Sequence, residues 1–246
     1  MVPRSRFYVP DAQIGDESIV LSADEAHHLT HVLRLNAGDE VGVFDGRGHE
    51  WRARVGTLRK KQVTLDLVES VPAVAEAPVR VTLGMALVKG DQMDAVIRDA
   101  TALGVTTIAP LVSAHVTVPA RAWKGDAARE RWHRVAVAAA KQSGRAVVPE
   151  IAPVAPFEAA ITGVNDAMPI LMCVEPARAA KLTQTEETKR PASALLLVGP
   201  EGGWSEGEVA LAASRGARMI ALGPRTLRAE LAPVVALSAL WTRWDW

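Results

Sequence analysis

Five short apolar runs constrain this chain more than any other feature: Val81 to Val88, Val105 to Leu111, Ile170 to Val174, Leu195 to Val198 and Met219 to Leu222. Helical signals lie between them, over Asp91 to Leu103, Asp126 to Gln142, Ser205 to about Gly216, and Ala232 to Trp241. Runs this short and this apolar read as strands buried on both faces. Strands of that kind alternating with helices imply a parallel sheet covered on each side. In the first helix Met93, Ile97 and Ala100 share a face, and Gly104 is placed to end it. Ser205-Glu-Gly-Glu208 has the spacing of a capping box.

Upstream of about residue 70 the pattern is different. Ser22-Ala-Asp-Glu25 is another capping box, opening a helix from Ala23 to about Leu33. Glu40 to Asp45, Trp51 to Val55 and Val63 to Val68 alternate as strands, and Asp45-Gly46-Arg47-Gly48 is a hairpin turn signal. This reads as a small β-barrel. Ser70 to Pro78, with two prolines and small residues, reads as a linker. The expected division is a barrel over residues 1–72 and an α/β domain over 73–246. The 246 residues suffice for both, and about half are apolar.

Charge and cysteine content narrow the class. Formal net charge is zero, which argues against a globally basic nucleic-acid binder but leaves room for a local patch. One cysteine, Cys173, excludes an internal disulfide framework and a cysteine-rich zinc site. No apolar leader opens the sequence and no run approaches a membrane span, so a cytoplasmic setting is expected.

The stretch LLLVGPEGGWSEGEV, Leu195 to Val209, joins a strand to a helix through Gly199, Gly202 and Gly203. Glycines let a ligand approach the backbone, and a helix start favours negative charge. Yet no phosphate-loop lysine follows, the dinucleotide fingerprint is absent, and Glu201 would repel a phosphate. One strand later, LGPRTLRAELAP, Leu222 to Pro233, supplies another glycine turn with Arg225, Arg228 and Glu230. Loops at the carboxyl ends of parallel strands are where ligands bind, so the two can hold one ligand between them. A tight strand-to-helix bend with no ligand is the plainer reading of either loop alone.

The pair GPEGGWSEGE and LGPRTLRAELAP resembles the closing motifs of the SPOUT methyltransferases, and specifically the RsmE family of 16S ribosomal RNA uridine-N3 methyltransferases. RFYVP (6–10), HHLTHVLRLNAGDEVGVFDGRG (27–48), ALVKGDQMDAVIRDATALGV (86–105) and AAAKQSGRAVVPEI (138–151) agree in the same order. The resemblance implies a PUA-like RNA-binding barrel followed by a SPOUT-type parallel sheet with a C-terminal trefoil knot. It also implies a homodimer, S-adenosyl-L-methionine as cofactor, no metal, and 16S rRNA within the assembled small ribosomal subunit as partner. The cofactor residues it implies are Leu171, Met172, Val198, Gly199, Pro200, Glu201, Gly202, Gly203, Leu222, Gly223, Leu227, Arg228 and Ala232. The chain departs from the family pattern at Ala102 and Ala138, where the family often has Glu, and at Leu231, where it usually has Thr.

The implied reaction moves a methyl group to uracil N3, whose proton must leave or be shared. Arg228 is the candidate for stabilising charge on the uracil oxygens, and Glu230 for accepting the proton or orienting Arg228. Glu230 also reads as a helix-start carboxylate favoured by the dipole. Cys173, inside ILMCV, reads as a buried thiol rather than the nucleophile that pyrimidine C5 methylation uses.

Seven Lys or Arg against two acids lie between Arg121 and Arg145, a candidate phosphate-binding stretch; a solvated helix face is the commoner fate of such a run, and the family resemblance favours RNA contact. The candidate RNA contacts are Arg4, Arg6, Lys89, Arg121, Lys124, Arg134, Gln142, Ser143 and Arg145. His27 and His31 share a helix face, but no third ligand completes a metal site. The tail WTRWDW reads as a packing or dimer contact. Other readings remain. They are a non-catalytic RNA-binding factor, a nucleotide-phosphate enzyme, and a SPOUT enzyme acting on another RNA.

Overall fold

The computed structural model describes residues 3, 5–59, 62–119, 123, 126–164, 167–176, 180–181 and 190–246. The chain divides into two compact units, residues 1–76 with 140–148, and residues 77–139 with 149–246.

In the first unit β1 (Arg6–Tyr8), β2 (Ser18–Val20), α1 (Ala23–His27), β3 (Glu40–Phe44), β4 (Glu50–Arg59) and β5 (Gln62–Val71) appear in chain order. The sheet runs β1-β3-β4-β5-β2, with β1 parallel to β3 and the remaining pairs antiparallel. It curls around one core containing Phe7, Leu29, Val41, Val43, Ala53 and Leu65. The expected barrel is thus a curled sheet with β1 and β2 at its ends. The helix opening at Ser22 covers the expected span but changes pitch. After His27 it continues as a π-helical turn, His28–Val32, closed by the Leu33 N–H donating to His28 O. β5 extends to Val71, so the sheet takes the first two residues of the expected linker.

The hairpin at Asp45 forms as its residues suggest. The side chain of Asp45 is fully buried and accepts from the backbone N–H groups of Arg47 (2.7 Å) and His49 (3.1 Å), and from Arg47 Nε (3.0 Å). Its Oδ2 also lies 2.7 Å from His49 Nδ1. Burial pushes the Asp45 carboxyl up, but these hydrogen bonds and the Arg47 charge outweigh it and hold the group below its ordinary range. A folded-state value below the unfolded one gives stability that is present above the ordinary carboxylate range and lost as pH falls through the folded value. Asp45→Asn should therefore lower the melting temperature most at neutral pH, with the gap to the unaltered protein closing in acid, as pH falls through the folded value. A gap of equal size at neutral pH and in acid would refute this.

Residues 140–148 belong to this first unit although they lie far along the chain. Val148 N–H donates to Gly46 O, and Gly48 N–H to Ala146 O. Arg6 is 7% exposed. Its Nε donates to Glu50 Oε1 at 2.7 Å, and its Nη1 to Ala140 O at 2.9 Å and Arg145 O at 3.3 Å. Its guanidinium lies over the Phe44 ring at 4.6 Å. Arg145 pairs with Glu76, and Lys141 with Glu25.

The second unit contains β6 (Arg80–Ala86), α2 (Gln92–Ala102), β7 (Thr107–Val112), most of α3 (Asp126–Ser143), β8 (Glu150–Ile151), β9 (Ala155–Pro156) and α4 (Phe157–Thr162). After these come β10 (Ile170–Cys173), β11 (Ala180–Lys181), β12 (Ser193–Val198), α5 (Glu206–Ser214), β13 (Arg218–Ala221) and α6 (Ala232–Arg243). Every strand pair is parallel, in the order β11-β13-β10-β12-β6-β7-β8, with β9 also on β7. The five apolar runs all lie in this sheet, and β10 is buried throughout. Met93, Ile97 and Ala100 are buried on α2 as their spacing predicts, and Gly104 leaves the helix at φ +89°. The tail packs on itself and on the body. The Trp241 ring lies tilted against Trp244 and edge-on to Trp246, and its Nε1 donates to Leu103 O at 2.7 Å. Among the described residues no helix is long and apolar enough to cross a membrane.

Candidate cofactor and active site

A cavity of about 800 Å³ opens in the second unit at the carboxyl ends of β10, β12 and β13. One wall is the bend Gly199 to Ser205, and the opposite wall is the segment Arg225 to Glu230 with Leu222 and Ala232. The two glycine loops singled out in the sequence therefore face one space. Parallel β10 lies directly between β12 and β13, which puts both loops at the same sheet edge.

The bend is held by side chains distant in sequence. Trp204 is buried, its Nε1 donates to Cys173 O at 3.0 Å, and its ring lies 5.0 Å from that of Phe157. A Cβ on Gly199 would meet that indole at 3.1 Å, so a side chain there would press the Trp204 ring aside by a few tenths of an ångström. The capping box at α5 is complete, with Ser205 Oγ accepting from Glu208 N–H and the Glu208 carboxylate accepting from Ser205 N–H. The same carboxylate, 6% exposed, accepts from Ala114 N–H at 2.9 Å, joining the turn after β7 to the start of α5. Glu201 Oε1 accepts from Lys89 N–H at 3.3 Å, and the Gln92 amide, turned to donate, reaches it at 2.9 Å. The glutamate that makes a poor phosphate cradle thus ties the bend to the start of α2.

On the opposite wall, Arg228 O accepts from the N–H groups of Leu231 and Ala232, making a tight turn into α6. The Arg228 side chain is 86% exposed, and its Nη1 stands 4.0 Å from Glu230 Oε1. Glu230 Oε2 is buried and, among the described residues, has no hydrogen-bond partner. Arg228 and Glu230 both line the cavity. Cys173 lines it as well, and burial pushes its thiol up to about 12. Such a thiol is not a nucleophile at neutral pH.

Of the residues named for the cofactor, Val198, Gly199, Pro200, Glu201, Gly202, Gly203, Leu222, Leu227, Arg228 and Ala232 line the cavity. Leu171, Met172 and Gly223 do not. Leu171 and Met172 are buried within β10, and Met172 belongs to the core beneath the site. Gln92 and His115 line the cavity without having been named for the cofactor, whereas Cys173, Val174 and Glu175 at the end of β10 line it as the family resemblance implies. Gln92 and His115 follow β6 and β7, so the rule that ligands gather at strand carboxyl ends was the available signal.

The candidate RNA residues separate. Lys89, Arg134, Gln142 and Ser143 are exposed. Arg6 and Arg145 are buried in the ion pairs described above, so the sequence expectation that they face RNA meets a structural role instead. Arg4, Arg121 and Lys124 lie outside the described residues. Within the basic stretch, Arg131 is paired with Asp94 and Asp91. His27 and His31 stack at 4.5 Å, and among the described residues no group of three His, Cys, Asp or Glu is placed to hold a metal ion.

Comparison with known proteins agrees with this geometry. Residues 75–241 match the family model of an RNA methyltransferase domain, and residues 21–68 that of an RNA methyltransferase PUA domain. The chain is 35% identical to the ribosomal RNA small subunit methyltransferase E of Synechocystis, over 96% of this chain and 76% of that protein. It is 30% identical to that of Bacillus subtilis, over 89% and 88%. The crystal structure of a ribosomal RNA small subunit methyltransferase E from Neisseria gonorrhoeae, bound to S-adenosyl methionine, superposes with a TM-score of 0.88 at 32% identity, over 98% of each chain. A Legionella pneumophila protein solved in complex with the cofactor SAM gives 0.90 at 28%, also over 98% of each. With both domains matched and relatives this similar over most of its length, the chain belongs to the RsmE family of ribosomal RNA small subunit methyltransferases.

Proposed function

We propose that this protein uses S-adenosyl-L-methionine to methylate N3 of one uridine in 16S rRNA of the small ribosomal subunit. The observation that carries the reading is the cavity between the two glycine loops, in a chain whose relatives are named as ribosomal RNA small subunit methyltransferases. Its volume is in the range that small cofactors fill. Val198, Leu222, Leu227 and Ala232 give an apolar wall for an adenine ring, and Gly199 to Gly203 bring backbone within reach. Glu175, Glu201, Glu206 and Glu230 also line it, an acidic set that suits a sulfonium and an ammonium better than a triphosphate.

Bound S-adenosyl-L-methionine supplies an electrophilic methyl group. The chain's own residues have two tasks. Arg228, exposed at the rim, places positive charge where the uracil oxygens gain negative charge as N3 loses its proton. Glu230, whose Oε1 stands 4.0 Å from Arg228 Nη1, is the carboxylate placed to accept that proton or to orient Arg228. The inert Cys173 favours attack by a ring nitrogen over C5 chemistry, which needs a thiolate.

The same reading assigns residues 1–72 to RNA binding and residues 73–246 to catalysis, as a cytoplasmic homodimer with a trefoil knot at the C-terminal end of the sheet. Lys89, Arg134, Gln142 and Ser143 are the exposed candidates for RNA contact. Mass-spectrometric mapping of modified nucleotides in rRNA from a strain lacking the gene should show one N3-methyluridine missing from 16S rRNA. A full complement of that nucleotide would overturn the assignment.

A further inference from the structure

We infer that His115 is a positioning residue for the cofactor, fixing the glycine bend from the neighbouring strand end; this rests on the methyltransferase reading. His115 follows β7, two strands away from β12 in the sheet. Its Nδ1 lies 3.1 Å from Gly202 O and 3.1 Å from Gly203 O. Two carbonyl oxygens can only accept, so Nδ1 carries the proton and donates to both. The contact is also steric. A Cβ on Gly202 would come within 3.0 Å of His115 Cβ, so the bend is seated against this residue.

What the latch fixes follows from peptide geometry. Gly203 N–H donates to Pro200 O at 2.9 Å, which makes Pro200 to Gly203 a closed turn, and Gly203 has φ +70°. Glycine at such a position has other conformations open to it. Holding the carbonyls of residues 202 and 203 sets their peptide planes, because each peptide group is planar and trans. The bend then meets its ligand already shaped, and less ordering entropy is lost on binding. Glu208 supports the arrangement from behind, since it holds Ala114 N–H beside His115 and Ser205 N–H beyond the bend. His115 itself lines the cavity from an exposed position, so its loss leaves no buried polar group behind.

The distinction between positioning and bulk structure lies in which nitrogen matters. The amide nitrogen of Asn reaches about as far as Nδ1, and that of Gln about as far as Nε2. Calorimetric titration with S-adenosyl-L-methionine, alongside methyl transfer to small ribosomal subunits, compares the unaltered protein with His115→Ala, His115→Asn and His115→Gln. His115→Ala and His115→Gln should bind the cofactor roughly tenfold more weakly, the scale of one lost hydrogen bond. Their KM for the cofactor should rise more than kcat falls, and His115→Asn should recover most of the affinity. Unchanged affinity in His115→Ala, or His115→Asn as weak as His115→Ala, would overturn the inference while leaving the methyltransferase reading intact. No cofactor binding by the unaltered protein would overturn both.

Discussion

Arg228→Ala is expected to lower methyl-transfer turnover by about 10²–10³, the usual cost of removing one preorganised charge or donor from a developing oxyanion. Cofactor affinity should change little. The side chain is 86% exposed and its nearest acid, Glu230, is 4.0 Å away, so the ground state of the free protein depends on it weakly. An exposed pair at that distance also contributes little to stability, so the variant should fold normally. Arg228→Lys should recover only part of the rate, because an ammonium is a point charge without the planar fork of a guanidinium. Single-turnover kinetics at saturating cofactor, read beside calorimetry, separate the two effects. Unchanged turnover would remove Arg228 from the mechanism. A loss of cofactor binding equal to the loss of rate would make it a binding residue only.

The second large effect concerns stability. Arg6→Ala would leave Glu50, 3% exposed, as an uncompensated buried carboxylate, and would strip a donor from the carbonyls of Ala140 and Arg145. Breaking a buried pair from one side typically costs about 3–5 kcal/mol. Chemical denaturation should show a loss of that size, and Arg6→Lys should recover little, since one ammonium cannot serve Glu50 and the end of α3 together. Replacing both partners, as in Arg6→Met with Glu50→Leu, should cost less than Arg6→Ala alone. A loss below about 1 kcal/mol in Arg6→Ala would show that the pair is not holding the segment. Weaker RNA binding at unchanged stability would return Arg6 to the RNA-contact role that the sequence suggested.

Arg6 also shows where sequence reading stops. The strand and helix pattern of the second unit was legible because period and burial are local, so β6, β7, β10, β12 and β13 and their helices lie close to where their apolar runs fall. Short edge elements were not, since two or three residues carry no period; β1, β2, β8, β9 and β11 are of this kind. The small barrel expected from the sequence is a curled sheet whose strand order was not legible, because the pairing of β1 with β3 leaves no local trace. The paired glycine loops were legible as a site. Their supports were not. Glu201 meets Lys89 112 residues away, Glu208 meets Ala114 94 residues away, and His115 meets Gly202 87 residues away. A basic residue in a motif reads as a solvent-facing contact until a buried carboxylate such as Glu50 or Glu76 is found beside it.

The return of residues 140–148 to the first unit bears on the order of synthesis. When β5 has been made, this unit still lacks the acceptor carbonyls of Ala140 and Arg145, the partner of Glu76, and the backbone groups that meet Gly46 and Gly48. At about 5–20 residues per second, the missing segment leaves the ribosome some seconds later. Through that interval Arg6 has Glu50 and the Phe44 ring but not the carbonyls at the end of α3. The N-terminal module is thus finished by the middle of the chain, so it cannot be complete before residue 148 has been made.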